Sequence, residues 1–279
     1  MPTTQMEILH RTKPEVPEGL HVFDPETFAR KTGRMMMSGE GIKAVFDYDG
    51  TLTKLGHCCW RIVESLLPEN GEERKSIIRR REVNIAKERS TGLTARDSFD
   101  WSVGDLSDLR SGKVKIDDLK SAARAIQLRD GTTRLLGSCR TKNVPVEVHS
   151  AGIKNIIVPS LEASGITGVR VESTELNISD GYIVGWDPNT LIHVANKQDL
   201  GIARYEATRR QYPNTIVVGD GLHDILMAPR SENVLGIFVC DQLADGGLPT
   251  SALDRARQAG FDAAVVGSFE PLAALMDNY

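Results

Sequence analysis

From Pro145 to the C-terminus, short runs of β-branched and apolar residues alternate with stretches of helical character, and this alternation limits the possible folds more than any other feature of the chain. The runs are Val144–His149 followed by a helical Ile153–Ala163, Val169–Glu172, Thr215–Gly219 followed by a helical His223–Pro229, Leu235–Val239 and Ala263–Val266. Short strands that are apolar on both sides need helices above and below a mostly parallel sheet. The expectation is therefore a doubly wound α/β domain. Leu176–Trp186 breaks the rhythm, because two alternating runs flank Asp180-Gly181, a pair suited to a tight turn. A hairpin appended to the sheet is expected there.

One further strand lies far upstream, where Ile42-Lys43-Ala44-Val45-Phe46 runs into Asp47-Tyr48-Asp49-Gly50-Thr51. Between it and the alternating region the texture changes. Trp60, Ile62, Val63, Leu66 and Leu67 recur at helical spacing, a charge-rich run follows from Glu69 to Glu88, and strand signals are almost absent. The simplest organisation is an α/β core made of residues 1–56 and 130–279, interrupted by a helical cap at 57–129. Such a cap sits over the carboxyl ends of the strands, where open α/β sheets bind ligands and where a lid excludes water. Residues 1 to about 40 carry Pro14, Pro17 and Pro25 and are expected to form an extended or partly helical lead-in packed on the main body.

Composition narrows the partners. Charged residues make up 26% and hydrophobic residues 40%, ordinary values for a soluble domain. A net charge of −4 and a pI near 5.9 give no general attraction to nucleic acid or to an anionic membrane, so neither partner is expected. No apolar run approaches the roughly 20 residues that span a bilayer. The N-terminal stretch also lacks the apolar core of a secretory signal, which makes the cytoplasm the expected location. Cys58, Cys59, Cys139 and Cys240 show no CxxC spacing and are expected to be reduced thiols. Arg79, Arg80 and Arg81 are flanked by Glu72, Glu73 and Glu82, the pattern of a solvated helix face.

The residue types that phosphoryl transfer needs occur at strand ends or helix starts: Asp47 and Asp49 with Thr51, then Ser150, then Lys197, then Asp220 and Asp224. Taken alone, each is an ordinary turn, cap or solvated residue. Two acids four residues apart directly after Ile216-Val217-Val218 are unusual unless a cation neutralises them. His149, His193 and His223 adjoin these loops, and structural roles are expected for them.

Taken together, FDYDGTLT, HSAG, NK and VVGDGLHD resemble the four motifs of the haloacid dehalogenase superfamily of phosphatases. Within it, Val146–Ile153, Leu191–Asp199 and Val217–Ala228 are similar to the cytosolic 5′-nucleotidase III, or pyrimidine 5′-nucleotidase, family. The sequence departs from that family at Gly50, where methionine is usual, at Ala195, where phenylalanine is usual, and at Asn155, where an acid is usual. The resemblance implies a Rossmann-like, haloacid dehalogenase-like core with an inserted cap, and a Mg2+-dependent phosphomonoesterase. Asp47 would be the nucleophile, Asp49 the general acid and base, and Lys197 the partner of Asp47 and the phosphate. Asp47, Asp220 and the backbone of Asp49 would hold the metal, with Asp224 in or beside that sphere. Thr51, Ser150, Ala151 and Gly152 would hold phosphate oxygens. In the cap, Trp60, Phe99 and Trp101 offer flat apolar walls, and Glu88 resembles the family's base-reading glutamate. The expected substrate is a nucleoside 5′-monophosphate. Phosphoserine or a sugar phosphate is the alternative within enzymes, and a phospho-aspartate switch the alternative outside them. Whether the chain is a monomer or a homodimer is open at this point.

Overall fold

The computed structural model describes residues 16–37, 41–90 and 94–278. Its main sheet has seven strands: β1 (Leu20–Val22), β2 (Ile42–Phe46), β3 (Val146–Ile153), β4 (Arg170–Thr174), β7 (Asn214–Gly219), β8 (Val234–Cys240) and β9 (Ala263–Val266). A further pair, β5 (Leu176–Ser179) and β6 (Tyr182–Trp186), stands apart. The order across the main sheet is β1-β9-β8-β7-β2-β3-β4, all parallel except β1. The chain builds outward from β2 in one direction through β3 and β4, then returns to β2's other side and continues through β7, β8 and β9. This reversal opens a crevice at the carboxyl ends of β2 and β7.

Alternate side chains of the central strands enter different layers, as the two-residue strand repeat dictates. Ala44, Phe46, Ile216 and Val218 join an apolar interior with α1 (Pro25–Met37), α6 (Thr132–Thr141), α7 (Lys154–Ala163) and α10 (Glu270–Asp277). Val45 and Val217 instead meet Tyr205 of α8 (Lys197–Thr208), and Phe238 and Ala264 meet Ala256 of α9 (Thr250–Ala259). The expected doubly wound α/β sheet is therefore present. The lead-in contributes β1 and α1, with Lys31 held by Asp262 at 2.8 Å.

Residues 57–129 carry α2 (Cys59–Leu66), α3 (Glu72–Ser90), α4 (Ala95–Ser111) and α5 (Ile116–Ala123). Their apolar residues, among them Val63, Ile77, Leu106, Leu109 and Leu119, continue into the interior around α7. The segment leaves and rejoins the sheet at one place: Thr53 pairs with Leu128, and Arg129 N–H donates to Leu52 O at 2.8 Å.

Two elements differ from expectation. The hairpin forms, with Asp180 and Gly181 both at positive φ as a two-residue turn requires, but it does not join the main sheet. It docks on the helical segment instead, where Ile183 N–H donates to Val114 O and Ile116 N–H to Gly181 O, each at 3.0 Å. The helix expected over His223–Pro229 shortens to one turn, Asp224–Met227, because Ala228, the residue before Pro229, is extended.

Candidate active site

Asp47 follows β2 directly, and its N–H extends the β2–β7 ladder by donating to Val218 O at 2.9 Å. Strand geometry thus aims the carboxylate into the crevice. Lys197 opens α8 and, buried, donates to Asp47 Oδ1 and, at 2.8 Å, to Asp224 Oδ1. Asp220 stands after β7 and exchanges two hydrogen bonds with Thr51. The Thr51 hydroxyl donates to Asp220 Oδ1, and Asp220 N–H donates to Thr51 Oγ1, both at 2.9 Å. Oxygens of Asp47, Asp220 and Asp224 lie within 4.8 Å of one another.

Charge in this crevice is unbalanced. Burial pushes the Asp47 carboxyl above its ordinary range, Lys197 opposes this and Asp224 adds to it. Asp220 is pushed well above as well, by desolvation of its carboxyl and then by Asp47 and Asp224. Asp49 is lifted to about 7, chiefly by burial, although Cys59 N–H donates to its Oδ1 at 2.9 Å. Burial alone would lower the Lys197 ammonium, but Asp224 and Asp47 outweigh it and it ends above its ordinary value. Hard carboxylate oxygens with too little positive charge among them fit a divalent cation such as Mg2+.

Ser150 is buried inside β3, which runs on to Ile153 past the strand end expected at His149, and its Oγ accepts from Gly152 N–H at 3.0 Å, which leaves the hydroxyl proton free to donate. A Cβ at Gly152 would lie 2.7 Å from Cys59 Sγ and 3.1 Å from Ser150 Oγ, so a larger residue would close this turn. Gly50, the departure noted in the sequence, sits at φ +80°, and a Cβ there would collide with Asp220 Oδ2. A cavity of about 230 Å³ joins these groups to the helical segment. It is lined by Asp47, Asp49, Ser150, Ala151, Gly152, Lys197, Asp220 and Asp224 on the sheet side, and by Trp60, Ser98, Trp101 and Ser102 on the helical side.

The match to known proteins decides the kinship. Residues 57–246, well over half of the chain, match the family model for pyrimidine 5′-nucleotidase (UMPH-1). The chain belongs to this family. A 7-methylguanosine phosphate-specific 5′-nucleotidase A from Xenopus laevis is 24% identical over 241 residues, covering 80% of this chain and 82% of the relative. The Drosophila melanogaster 7-methylguanosine phosphate-specific 5′-nucleotidase is 26% identical, covering 79% and 76%. Among solved structures, cytosolic 5′-nucleotidase IIIB bound to cytidine superposes with a TM-score of 0.77 at 21% identity over 94% of both chains. A probable phosphoserine phosphatase from Vibrio cholerae shares the fold at a TM-score of 0.59 and 15% identity, over 86% of this chain and 64% of its own. The protein is thus a 5′-nucleotidase, a phosphatase of haloacid dehalogenase-like fold with an acidic aspartate cluster.

In this 5′-nucleotidase the fold brings together Asp47, Asp49, Ser150, Ala151, Gly152, Lys197, Asp220, Asp224 and Trp101 around one cavity. Thr51 does not line it. Its hydroxyl is committed to Asp220, so it supports a carboxylate rather than facing the cavity as a phosphate ligand would. Glu88 belongs to α3, and its side chain lies outside the described residues. Phe99 packs edge-on against His193 at 5.9 Å rather than lining the cavity. None of the three histidines next to the motifs lines it either. His149 pairs with Glu147 at 3.0 Å, His193 meets Ser98 Oγ at 3.2 Å, and His223 is exposed. Sequence reasoning missed Ser98, Ser102 and Val194 in the lining and Cys59 behind Asp49. Ser98, Ser102 and Cys59 lie outside every motif, with only the helical spacing Ser98, Trp101, Ser102 pointing to a shared face, and Val194 falls in the Leu191–Asp199 stretch beside the Asn-Lys pair.

Proposed function

We propose that this 5′-nucleotidase hydrolyses nucleoside 5′-monophosphates in the cytosol through a covalent phosphate on Asp47. One observation carries the reading: a buried Lys197 bridges Asp47 and Asp224, with Asp220 close enough for the three carboxylates to share a cation. Asp47, Asp220 and Asp224 would hold Mg2+, which when bound offsets the negative charge of nucleophile and phosphate. Asp47 attacks phosphorus while the bond to the nucleoside 5′-oxygen breaks, and Asp49, whose carboxyl burial pushes above its ordinary value, gives that oxygen its proton. Asp49, now a carboxylate, takes a proton from the water that attacks the aspartyl phosphate. Phosphate leaves and Asp47 is regenerated. Lys197 holds Asp47 and the equatorial oxygens, and the Ser150 hydroxyl with the turn at Ala151 and Gly152 binds the rest.

Residues 57–129 act as the cap in this reading and hold the nucleoside. Trp60 and Trp101 supply indole surface, with Ser98 and Ser102 as hydrogen-bonding groups between them and the core. A cationic 7-methylguanine gains on an indole face, so 7-methylguanosine monophosphate belongs beside CMP and UMP among the substrates. The test is phosphate release from these nucleotides, AMP, phosphoserine and a sugar phosphate. A clear preference for one or more nucleotides is expected, and equal rates on phosphoserine or the sugar phosphate would overturn the nucleotide assignment.

A further inference from the structure

Arg129 lies outside every motif, at the point where the chain returns from the helical segment to the sheet, yet its side chain is almost fully buried behind the nucleophile loop. Its guanidinium donates from Nε to Thr51 O at 2.9 Å and from Nη2 to Gly50 O at 2.6 Å. Nη1 donates to Asp241 Oδ1 at 2.7 Å, at the end of β8, and lies 3.4 Å from Gly267 O. One planar cation therefore joins the loop after Asp47 and Asp49, the end of β8 and the segment after β9. Its own N–H on Leu52 O ties the same loop to the returning chain.

We propose that Arg129 is a positioning residue for phosphoryl transfer, holding the Gly50–Thr51 backbone in the orientation that the nucleophile loop and Asp220 require. The inference rests on the reading of this loop as the phosphoryl-transfer site. Two physical links support it. In a trans peptide the N–H points opposite the preceding carbonyl, so drawing Gly50 O and Thr51 O toward the guanidinium fixes the directions of the Thr51 and Leu52 amides. Thr51 in turn exchanges two hydrogen bonds with Asp220, so a shift of its backbone displaces one of the three clustered carboxylates. The fork geometry matters, because an ammonium offers a single point of charge and cannot bind two adjacent carbonyls and Asp241 in one plane. A buried guanidinium whose partners are backbone carbonyls of the catalytic loop is also an expensive device for mere stability, which an apolar side chain would supply at lower cost.

The experiment compares wild type, Arg129→Met and Arg129→Lys on p-nitrophenyl phosphate with Mg2+, with melting temperature recorded for each. Arg129→Met is expected to lower kcat by about 30-fold with KM changed less than about threefold, since small misplacements of reacting groups act on turnover. Arg129→Lys should recover part of the loss, and millimolar guanidinium should raise kcat of the methionine variant but not of wild type. A folded Arg129→Met with kcat within threefold of wild type, a loss carried by KM, or a loss that guanidinium does not relieve overturns the proposal. Should Arg129→Met fail to fold, Asp241→Asn decides: it leaves the guanidinium in place and removes its orienting partner. At unchanged melting temperature, a kcat at least about threefold lower supports positioning, and any smaller change overturns it. Wild type that releases no phosphate from this ester or from nucleotides would instead defeat the phosphatase reading, which separates the two failures.

Discussion

Two groups of charged side chains lie around β2. One comprises Lys43, Glu147 and His149 beneath α8, with Arg204 of that helix. The other is the crevice set, in which Asp47, Asp224 and Lys197 are buried, Asp49 is half-buried and Asp220 is exposed. Beneath α8 the charges are matched. Glu147 meets His149 at 3.0 Å, Lys43 at 3.8 Å and Arg204 at 3.6 Å, and Arg204 also lies 3.7 Å from Glu172. Burial pushes the Glu147 carboxyl up, but these partners outweigh it and bring it down to about 2. Burial lowers His149, which leaves it neutral. In the crevice, four carboxylates face one ammonium, and Asp47, Asp49 and Asp220 are all pushed up. Buried charge by itself therefore does not mark a site. Charge that the protein leaves uncompensated does, because something from outside must complete it.

Substitutions can break this contrast in opposite directions. The largest effect is expected for Asp47→Asn: turnover should drop by roughly a thousandfold or more because the proposed nucleophile is gone, while thermal unfolding stays level or rises because a crowded carboxylate is removed. A kcat within tenfold of wild type would end the covalent reading. Chelation of divalent cations comes next, expected to stop turnover, with Mg2+ restoring it. Bound Mg2+ should also raise the melting temperature, since mass action stabilises the folded state by about 2.7 kcal/mol at 100 times its dissociation constant. That thermal shift should vanish in Asp220→Asn, and a shift that persists there would place the cation elsewhere.

Glu147→Gln should do the reverse of Asp47→Asn, leaving Lys43 and Arg204 without their buried counter-charge. A loss of about 3 kcal/mol in urea unfolding is expected, with activity of the folded protein changed less than about fivefold. A catalytic defect without that loss would contradict the division. The same pair predicts acid behaviour. Glu147 titrates at about 2 when folded against its ordinary 4.5, so its contribution is fully present above pH 4.5 and is lost as pH falls from there toward 2. Wild type should show this acid slope, and Glu147→Gln should lack it. The smallest effect is expected at the cavity's outer wall, where Trp101→Ala should raise KM for nucleotides by about tenfold with kcat little altered. An unchanged KM would remove Trp101 from the nucleoside pocket.

Much of this was legible in the residues. The strands after Pro145 announced themselves by uninterrupted apolar runs, Asp47, Lys197 and Asp220 by falling at strand ends or helix starts, where a parallel sheet opens, and Ser150 by following the apolar run before it. Those signals are local, so a linear reading finds them. The hairpin's docking was not legible, because its turn chemistry fixes Asp180-Gly181 but says nothing about which surface will accept it. Nor was the role of Thr51, whose hydroxyl has two plausible partners until Asp220 arrives from 169 residues away. Arg129 is the sharpest case. In sequence it is one basic residue among many, and it acquires meaning only when Gly50, Thr51 and Asp241 are folded around it.

The amino-acid order alone determined the α/β class, the interruption after the strand that ends at Phe46 and the acid, hydroxyl and ammonium groups available for phosphate chemistry, because hydrophobic period and residue type are properties of short segments. Tertiary structure decided which carboxylates crowd together, which charges are neutralised and which tryptophans face the cavity. Those outcomes depend on distances between segments far apart in the chain, and electrostatic balance is a sum over neighbours that only the folded state defines.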